Sequence, residues 1–403
     1  MYQPVDFRLD VRKEAAMRPR RGMPKPADTC TGPRWIGADE VMRSLPPERA
    51  VECLRAVLDS GFNPERDGER TRLETAGGTL LQMPSTLEVA GRGVFTGVKL
   101  LTLTPRNAQA GLPVIQGVCQ LFGGEDQRPL ALVEGASLTA VRTPAVSLLG
   151  AQMLLDPSRE GLPLRALVFG TGVQAWEHAR TFAAVLPLER LDVAGRSSAK
   201  AEALAARITS ELGVESAALS TEGEGCRPAV EHADLILTCT SSSEPVFSGE
   251  WVPDTAVVVA VGSHDPHSRE LDDALLSRAE VLVESRTTAT AEAGEIVQAL
   301  ASDAILSQYS LVTLAEMTLF ERRDFTRPGV FKTTGMPWQD LALAVEAWAC
   351  SASGRGAAGG SSAVQAPGAG GGGHVARARE SGAQGSGSEQ LLAAGVQDQE
   401  RLR

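Results

Sequence analysis

The stretch Ala166–Ala175, "ALVFGTGVQA", decides the fold. An apolar run ends in Gly170, Gly172 and Ala175 at the spacing G-x-G-x-x-A, and a helical pattern opens at once. Gly170 permits the tight turn, Gly172 lets a pyrophosphate approach backbone N–H groups at the positive end of the helix, and Ala175 lets that helix pack close to the strand. The spacing therefore predicts a dinucleotide cradle over Gly170, Thr171, Gly172, Val173 and Gln174, the other reading being a structural turn in an α/β fold.

Working outward, "LRALVFG", "VQAWEHARTFAAVL", "RLDVAGR", "SAKAEALAARITSELG", "ADLILTCT", "AVVVAVG", "DDALLSRA", "EVLVES" and "TTATAEAGEIVQALA" alternate strand and helix. Repeated βα units specify an α/β chain with a Rossmann-type doubly wound parallel sheet, here over residues 156–325. The second strand ends in "LDVAGRSS", which puts Arg196 and Ser197 where an NAD-preferring site carries an acid. A guanidinium beside hydroxyls suits a 2′-phosphate, so NADP(H) is the preferred cofactor and NAD(H) the other choice. Asp192 points to NAD only if the strand ends earlier, and Arg196 also reads as an ordinary surface arginine.

Upstream, residues 34–155 read as an α+β unit: a strand, an amphipathic helix, and the runs "TLLQMP", "VFTGVKLLTLTP", "PVIQGVCQLF" and "PLALVE" broken by Gly, Pro and Asn, which predict a mainly antiparallel sheet. "SLTAVRTPAVSLLGAQMLL" reads as a helix with Pro144 near its first turn or kinking it. Lys99 interrupts an apolar strand. A buried lysine needs a carboxylate, an anionic ligand or a lowered pKa, which makes it a candidate for carboxylate binding or proton transfer, unless it snorkels from a sheet edge. Arg142 offers a bidentate clamp or an interdomain salt bridge, and Arg70 and Arg72 pose the same choice.

Downstream, "VTLAEMTLFERRD" and "GMPWQDLALAVEAWAC" read as helices joined by "TRPGVFKTT", with residues 326–350 returning to the first unit. Residues 1–33 read as a mobile extension and 351–403, rich in Gly, Ala and Ser, as a disordered tail. The balance of 39 basic and 50 acidic residues, net charge -11, argues against nucleic-acid or anionic-membrane partners and for small molecules. Six scattered cysteines suggest neither a zinc site nor a disulfide framework, and no segment reaches the roughly 18 apolar residues of a membrane span. A cytoplasmic location is expected.

In order along the chain, "MPS", "GVK", "NAQAGLP", "LTAVRTPAVS", "VFGTGVQA", "TCTSSSEPVF", "VGSHDPHSRELD", "AEAGEI" and "VFKTTGMPWQDLA" resemble the ornithine cyclodeaminase and mu-crystallin family over about Ile36 to Ala349. The resemblance implies a substrate-binding and dimerisation domain ahead of the Rossmann domain, a homodimer, and Lys99, Arg142 and Arg70 facing a substrate carboxylate. It implies that Thr238 and Ser241 stand exposed near the nicotinamide ribose, with Val261 and Gly262 also on the cofactor. Where cyclodeaminases carry an aspartate for the substrate amine, this chain has His264, with Asp265 one place later. That departure, together with Arg196, favours a reductase of cyclic imino acids such as Δ1-pyrroline-2-carboxylate, in which Lys99 or a water near His264 keeps the imine nitrogen protonated. The alternatives are an ornithine cyclodeaminase or related amino-acid dehydrogenase, and a non-catalytic NADPH-binding protein.

Overall fold

The structure is a computed structural model. It describes residues 32–358 apart from 125, 223–224, 303–306, 308–309 and 320–324, with side chains as far as Ser351. The N-terminal extension, save residues 32 and 33, and the tail beyond 358 lie outside the described residues.

The first part comprises β1 (Arg34–Ile36), α1 (Ala38–Ser44), α2 (Pro47–Asp59), β2 (Thr71–Thr75), β3 (Gly78–Val89), β4 (Gly93–Leu103), β5 (Ile115–Gly123), β6 (Arg128–Glu134) and α3 (Gly135–Leu154). Pro47 occupies the first turn of α2, where its missing N–H costs nothing, and Val51, Leu54 and Leu58 form the buried stripe. In β3 the alternation is strict: Leu81, Met83, Ser85 and Leu87 are buried and the residues between them are exposed. The six strands form one sheet in the order β1-β6-β5-β4-β3-β2, antiparallel except for the β1–β6 pair.

The second part comprises β7 (Leu164–Phe169), α4 (Val173–Val185), β8 (Leu188–Gly195), α5 (Ser198–Leu212), β9 (Ala218–Ser220), α6 (Arg227–Glu231), β10 (Leu235–Thr238), β11 (Val257–Ala260), α7 (Asp273–Arg278), β12 (Glu280–Val283), α8 (Arg286–Glu292), α9 (Gly294–Ala301), β13 (Val312–Thr313), α10 (Leu314–Met317), β14 (Gly329–Lys332) and α11 (Pro337–Ala358). Its eight strands are all parallel, ordered β13-β12-β14-β11-β10-β7-β8-β9. The chain runs outward from β7 to β9 and then returns to lay β10 on the other side of β7. That reversal is a topological switch point, and the crevice at the carboxyl ends of β7 and β10 is where such sheets take ligands.

Two expectations are corrected. "GVFK" in the supposed connection is the interior strand β14, seated between β11 and β12. Four residues are too few to show a period, and Lys332 disguises the run, although its Nζ is buried and held 2.7 Å from the Ser263 carbonyl. The last helix runs to Ala358, past the expected start of the tail, because Ala and Ser let it continue through Gly354 and Gly356 at modest cost. Of the two places the sequence left open for Pro144, the structure has the one inside α3.

Helix α3 is buried on all sides and joins the two sheets, packing on α2, α4, β11 and β14. Gly150 is its closest approach: a Cβ there would stand 2.3 Å from the ring of buried Phe331 on β14. Alanine at this position should gain about 1 kcal/mol of helix propensity and lose about 1–3 kcal/mol to overpacking. Gly150→Ala is therefore expected to be net destabilising, with a lower urea midpoint than the wild type; an unchanged or higher midpoint would refute the tight contact.

Candidate active site

Gly170 has φ +115°, and a Cβ there would lie 2.4 Å from the Cys239 carbonyl, so only glycine suits the turn that leaves β7. Gly172 is the N-cap of α4 and offers no side-chain cap, while nothing lies within 4 Å of where its Cβ would be. The first N–H groups of α4 thus open onto free space, the condition an anionic phosphate requires. They face a cleft of about 1250 Å³ lined by Gly170–Gln174, Arg196, Ser197, Lys200, Ser241 and, from α3, Ala136, Thr139 and Ala140. Uncapped N–H groups and an open crevice at the switch point fit a dinucleotide.

The end of β8 bears out the strand boundary. Asp192 sits inside the strand and its carboxylate accepts from Arg190 Nε and Ala217 N, so it is spent within the sheet. Arg196, Ser197 and Lys200 line the cleft instead. Ser197 is the N-cap of α5 with its hydroxyl uncommitted, and neither Arg196 nor Lys200 has an ion-pair partner among the described residues. Lys200 was missed; its position in the first turn of α5 was the available signal.

Ser241 lines the cleft, but the expectation for Thr238 is corrected. It is fully buried, and its hydroxyl donates to Glu270 at 2.7 Å. Glu270 also accepts from Thr240 N, Thr240 Oγ1 and Gly262 N at 2.6–2.7 Å, tying the loop after β10 to the loop after β11. A residue of interior strand stops where the polar loop begins, which is why position 238 faces inward. Val261 and Gly262 support this wall from behind: Val261 N donates to the Thr238 carbonyl, and a Cβ on Gly262 would stand 1.9 Å from the Thr240 carbonyl.

Lys99 and Arg142 meet at the start of α11, Arg70 reaches the turn that precedes it, and His264 lies on the Arg70 side. Lys99 lies inward on β4 between Met83 and Cys119, and its Nζ donates to Asp340 Oδ1 at 2.7 Å with both side chains fully buried. Burial pushes its pKa down to about 8, Asp340 opposing the fall and Arg142 adding to it. Arg142 is 7% exposed, yet its Nε stands 3.4 Å from Asp340 Oδ1 without a hydrogen bond, and Nη1 reaches Gln339 Oε1 only at 3.5 Å. The backbone at Gly335, φ +79°, wraps so closely that a Cβ would meet Arg142 Nη1 at 2.1 Å. Arg70 pairs with Glu292 at 3.1 Å and donates to the carbonyls of Thr334 and Gly335.

His264 is half-buried; its Nδ1 donates to the Gly262 carbonyl at 3.1 Å, which leaves Nε2 as the acceptor of the neutral ring. Burial depresses the imidazole pKa below its usual value, the Gly262 carbonyl opposes, and Arg70, Arg72 and Lys332 lower it further. Arg72 holds the turn by donating to the His264 carbonyl at 2.7 Å. Asp265 is committed to its own turn, accepting from His267 N at 2.9 Å and Ser268 Oγ at 2.6 Å. Asp340 was missed although it stands in the quoted "GMPWQDLA"; a lone acid at the start of an apolar helix was the signal. Glu284 was missed too: it directly follows β12 and shapes the turn over Arg142 by accepting from Thr333 Oγ1, Thr334 N and Gly335 N.

Comparison with known proteins gives consistent matches. Residues 59–348 fit the model of the ornithine cyclodeaminase/mu-crystallin family. The chain is 31% identical over 328 residues to the Δ1-pyrroline-2-carboxylate reductase of Paracoccus denitrificans, covering 78% of this chain and 96% of the relative. It is 29% identical to rat ketimine reductase mu-crystallin, covering 77% and 95%. Among solved structures, the Thermococcus litoralis Δ1-pyrroline-2-carboxylate reductase in complex with NADH and L-proline superposes with a TM-score of 0.72 at 25% identity, over 80% of this chain and 98% of that one.

Proposed function

The chain belongs to the ornithine cyclodeaminase/mu-crystallin family, and we propose that it is an NAD(P)H-dependent reductase of cyclic ketimine carboxylates, such as Δ1-pyrroline-2-carboxylate to proline. The observation that carries this reading is the buried Arg142, whose donors are left largely unspent beside Lys99. A buried guanidinium without full hydrogen bonding is costly, and a substrate carboxylate supplies the missing acceptors. Arg142 anchors that carboxylate, with Arg70 beside it.

Gly170–Gln174 and Ser241 would hold a dihydronicotinamide cofactor, which when bound would supply hydride. Lys99 supplies the proton to the imine nitrogen, and only its ammonium form can do so. His264, kept neutral by burial and by the arginines, can accept a hydrogen bond from a water there but is no acid near pH 7. Cyclodeamination needs a carboxylate free to handle the substrate amine. Asp265, bound into its own turn, does not offer one.

For the cofactor, the cleft-lining Arg196, Ser197 and Lys200 support NADP(H), while the Thermococcus litoralis reductase is complexed with NADH. For assembly, one face of the first sheet supports a homodimer. Leu80, Val94, Val98, Leu100, Val118 and Phe122 alternate with the inward residues of β3, β4 and β5 and project on the side away from the core, with Val94 and Leu100 47% and 36% exposed. A second copy laid on that apolar face would bury it.

Purified protein should oxidise NADPH with Δ1-pyrroline-2-carboxylate or Δ1-piperideine-2-carboxylate. Turnover should fall as pH rises through about 8, because Lys99 loses its proton there. Lys99→Met should lower kcat by about 10²–10⁴ while cofactor binding persists. No oxidation across a pH series would sink the assignment. Arg196→Ala with Lys200→Ala should raise KM for NADPH by about 10–100-fold and leave KM for NADH nearly unchanged; a wild type that prefers NADH would contradict the cofactor choice. Light scattering should give twice the 42.4 kDa chain mass, and a monomer would remove the dimer.

A further inference from the structure

We infer that Asp340 is a positioning residue for proton delivery: its carboxylate holds Lys99 as an ammonium ion in a buried seat beside Arg142 and thereby sets the upper pH limit of imine reduction. This rests on the ketimine-reductase reading given above.

The contrast with the other buried lysine carries the point. Lys332 Nζ donates to the carbonyls of Ser263 at 2.7 Å and Ala260 at 3.4 Å and lies 3.4 Å from Glu295 Oε2 without a hydrogen bond, so two of its three donors are held by the backbone of the fold. Among the described residues Lys99 has one acceptor, Asp340 Oδ1, which leaves two ammonium donors for a substrate nitrogen or a water. A cation with spare donors in a dry seat is arranged to give up a proton rather than to brace a sheet.

Asp340 is suited to control that proton. It stands in the first turn of α11, which is pressed against β4: a Cβ on Gly97 would meet Leu341 Cδ1 at 2.8 Å. Trp338 N, at the same helix end, donates to Asp67 Oδ2 at 2.8 Å, and Asp67 Oδ1 accepts from Ser85 Oγ at 2.6 Å, which fixes the turn. Asp340 Oδ2 is buried without a donor and so has room for one more N–H. The charged and titratable groups facing Lys99 are Asp340 on α11, Arg142 on α3 and Cys119 on β5, with Asp67 behind Asp340. Asp340 is the carboxylate that touches Lys99, while Arg142 repels the ammonium.

The C=N carbon gains hydride from the dihydronicotinamide, which is oxidised; the π pair moves to nitrogen, which takes its proton from Lys99. Water then returns a proton to the neutral amine of Lys99. Loss of the Asp340 charge leaves Arg142 and burial unopposed, and Lys99 sheds its proton at lower pH.

The chain has five lysines, so ε-¹³C-lysine labelling gives a countable NMR spectrum in which Lys99→Met assigns the signal. In Asp340→Asn the Lys99 titration midpoint should fall by about 1–3 units, as expected on losing an opposite charge at contact. The basic limb of kcat/KM for Δ1-pyrroline-2-carboxylate should fall by the same amount, while NADPH binding is kept. Asp340→Glu should restore most of both shifts, and if the asparagine variant does not fold, the equally neutral Asp340→Ser takes its place with the same expected fall in midpoint and limb. A midpoint that does not move overturns the inference, as does a midpoint that moves while the limb stays. A wild type that reduces no cyclic imine at any pH sinks the reductase reading instead, and the titration then decides separately whether Asp340 governs the charge on Lys99.

Discussion

Two buried cations, Lys99 and Arg142, face one buried carboxylate, Asp340. Removing ions from water costs several kcal/mol each, and a pair breaks even only when its geometry and hydrogen bonds are good. Here one contact is good at 2.7 Å, the other is loose at 3.4 Å, and Arg142 keeps donors in reserve. The fold holds this unfavourable group together by bringing α11 back from the end of the parallel sheet onto β4 of the first sheet. The site exists because the chain returns.

Carboxylates arrange the rest of the site. Glu270 gathers two loops at the switch point, Glu284 shapes the turn over Arg142, and Glu65 accepts from Ser285 Oγ, Arg286 N and Thr287 N to fasten the first part to the start of α8. Each is an acceptor for several donors, so each fixes backbone at a place where ligand-binding loops would otherwise be loose. Gly170, Gly262 and Gly335 mark the points where that backbone comes too close for a side chain.

Much of this was legible in the chain. The cradle could be read because strand, glycine spacing and helix are local and contiguous, and Lys99 because a charge in an apolar alternation stands out. Asp340 shows only as a lone acid at the start of an apolar helix and Glu270 not at all, since their roles depend on partners 241 and 32 residues away. β14 escaped because a four-residue strand between two parallel neighbours has no alternation to show, and Thr238 was turned the wrong way because a strand end was treated as a loop. Family resemblance named Arg142 and Arg70 as substrate contacts; only the geometry says that Arg142 still has donors to offer.

If these buried cations await a carboxylate beside a flat ring nitrogen, calorimetry on the NADPH-bound protein should distinguish pyrrole-2-carboxylate, a planar ring that cannot accept hydride, from pyrrole-2-carboxamide. The carboxylate should bind at least about 100-fold more tightly, a difference of about 3 kcal/mol, and Arg142→Met should abolish the difference. Equal affinity for the two, or a preference that survives in Arg142→Met, would contradict the account.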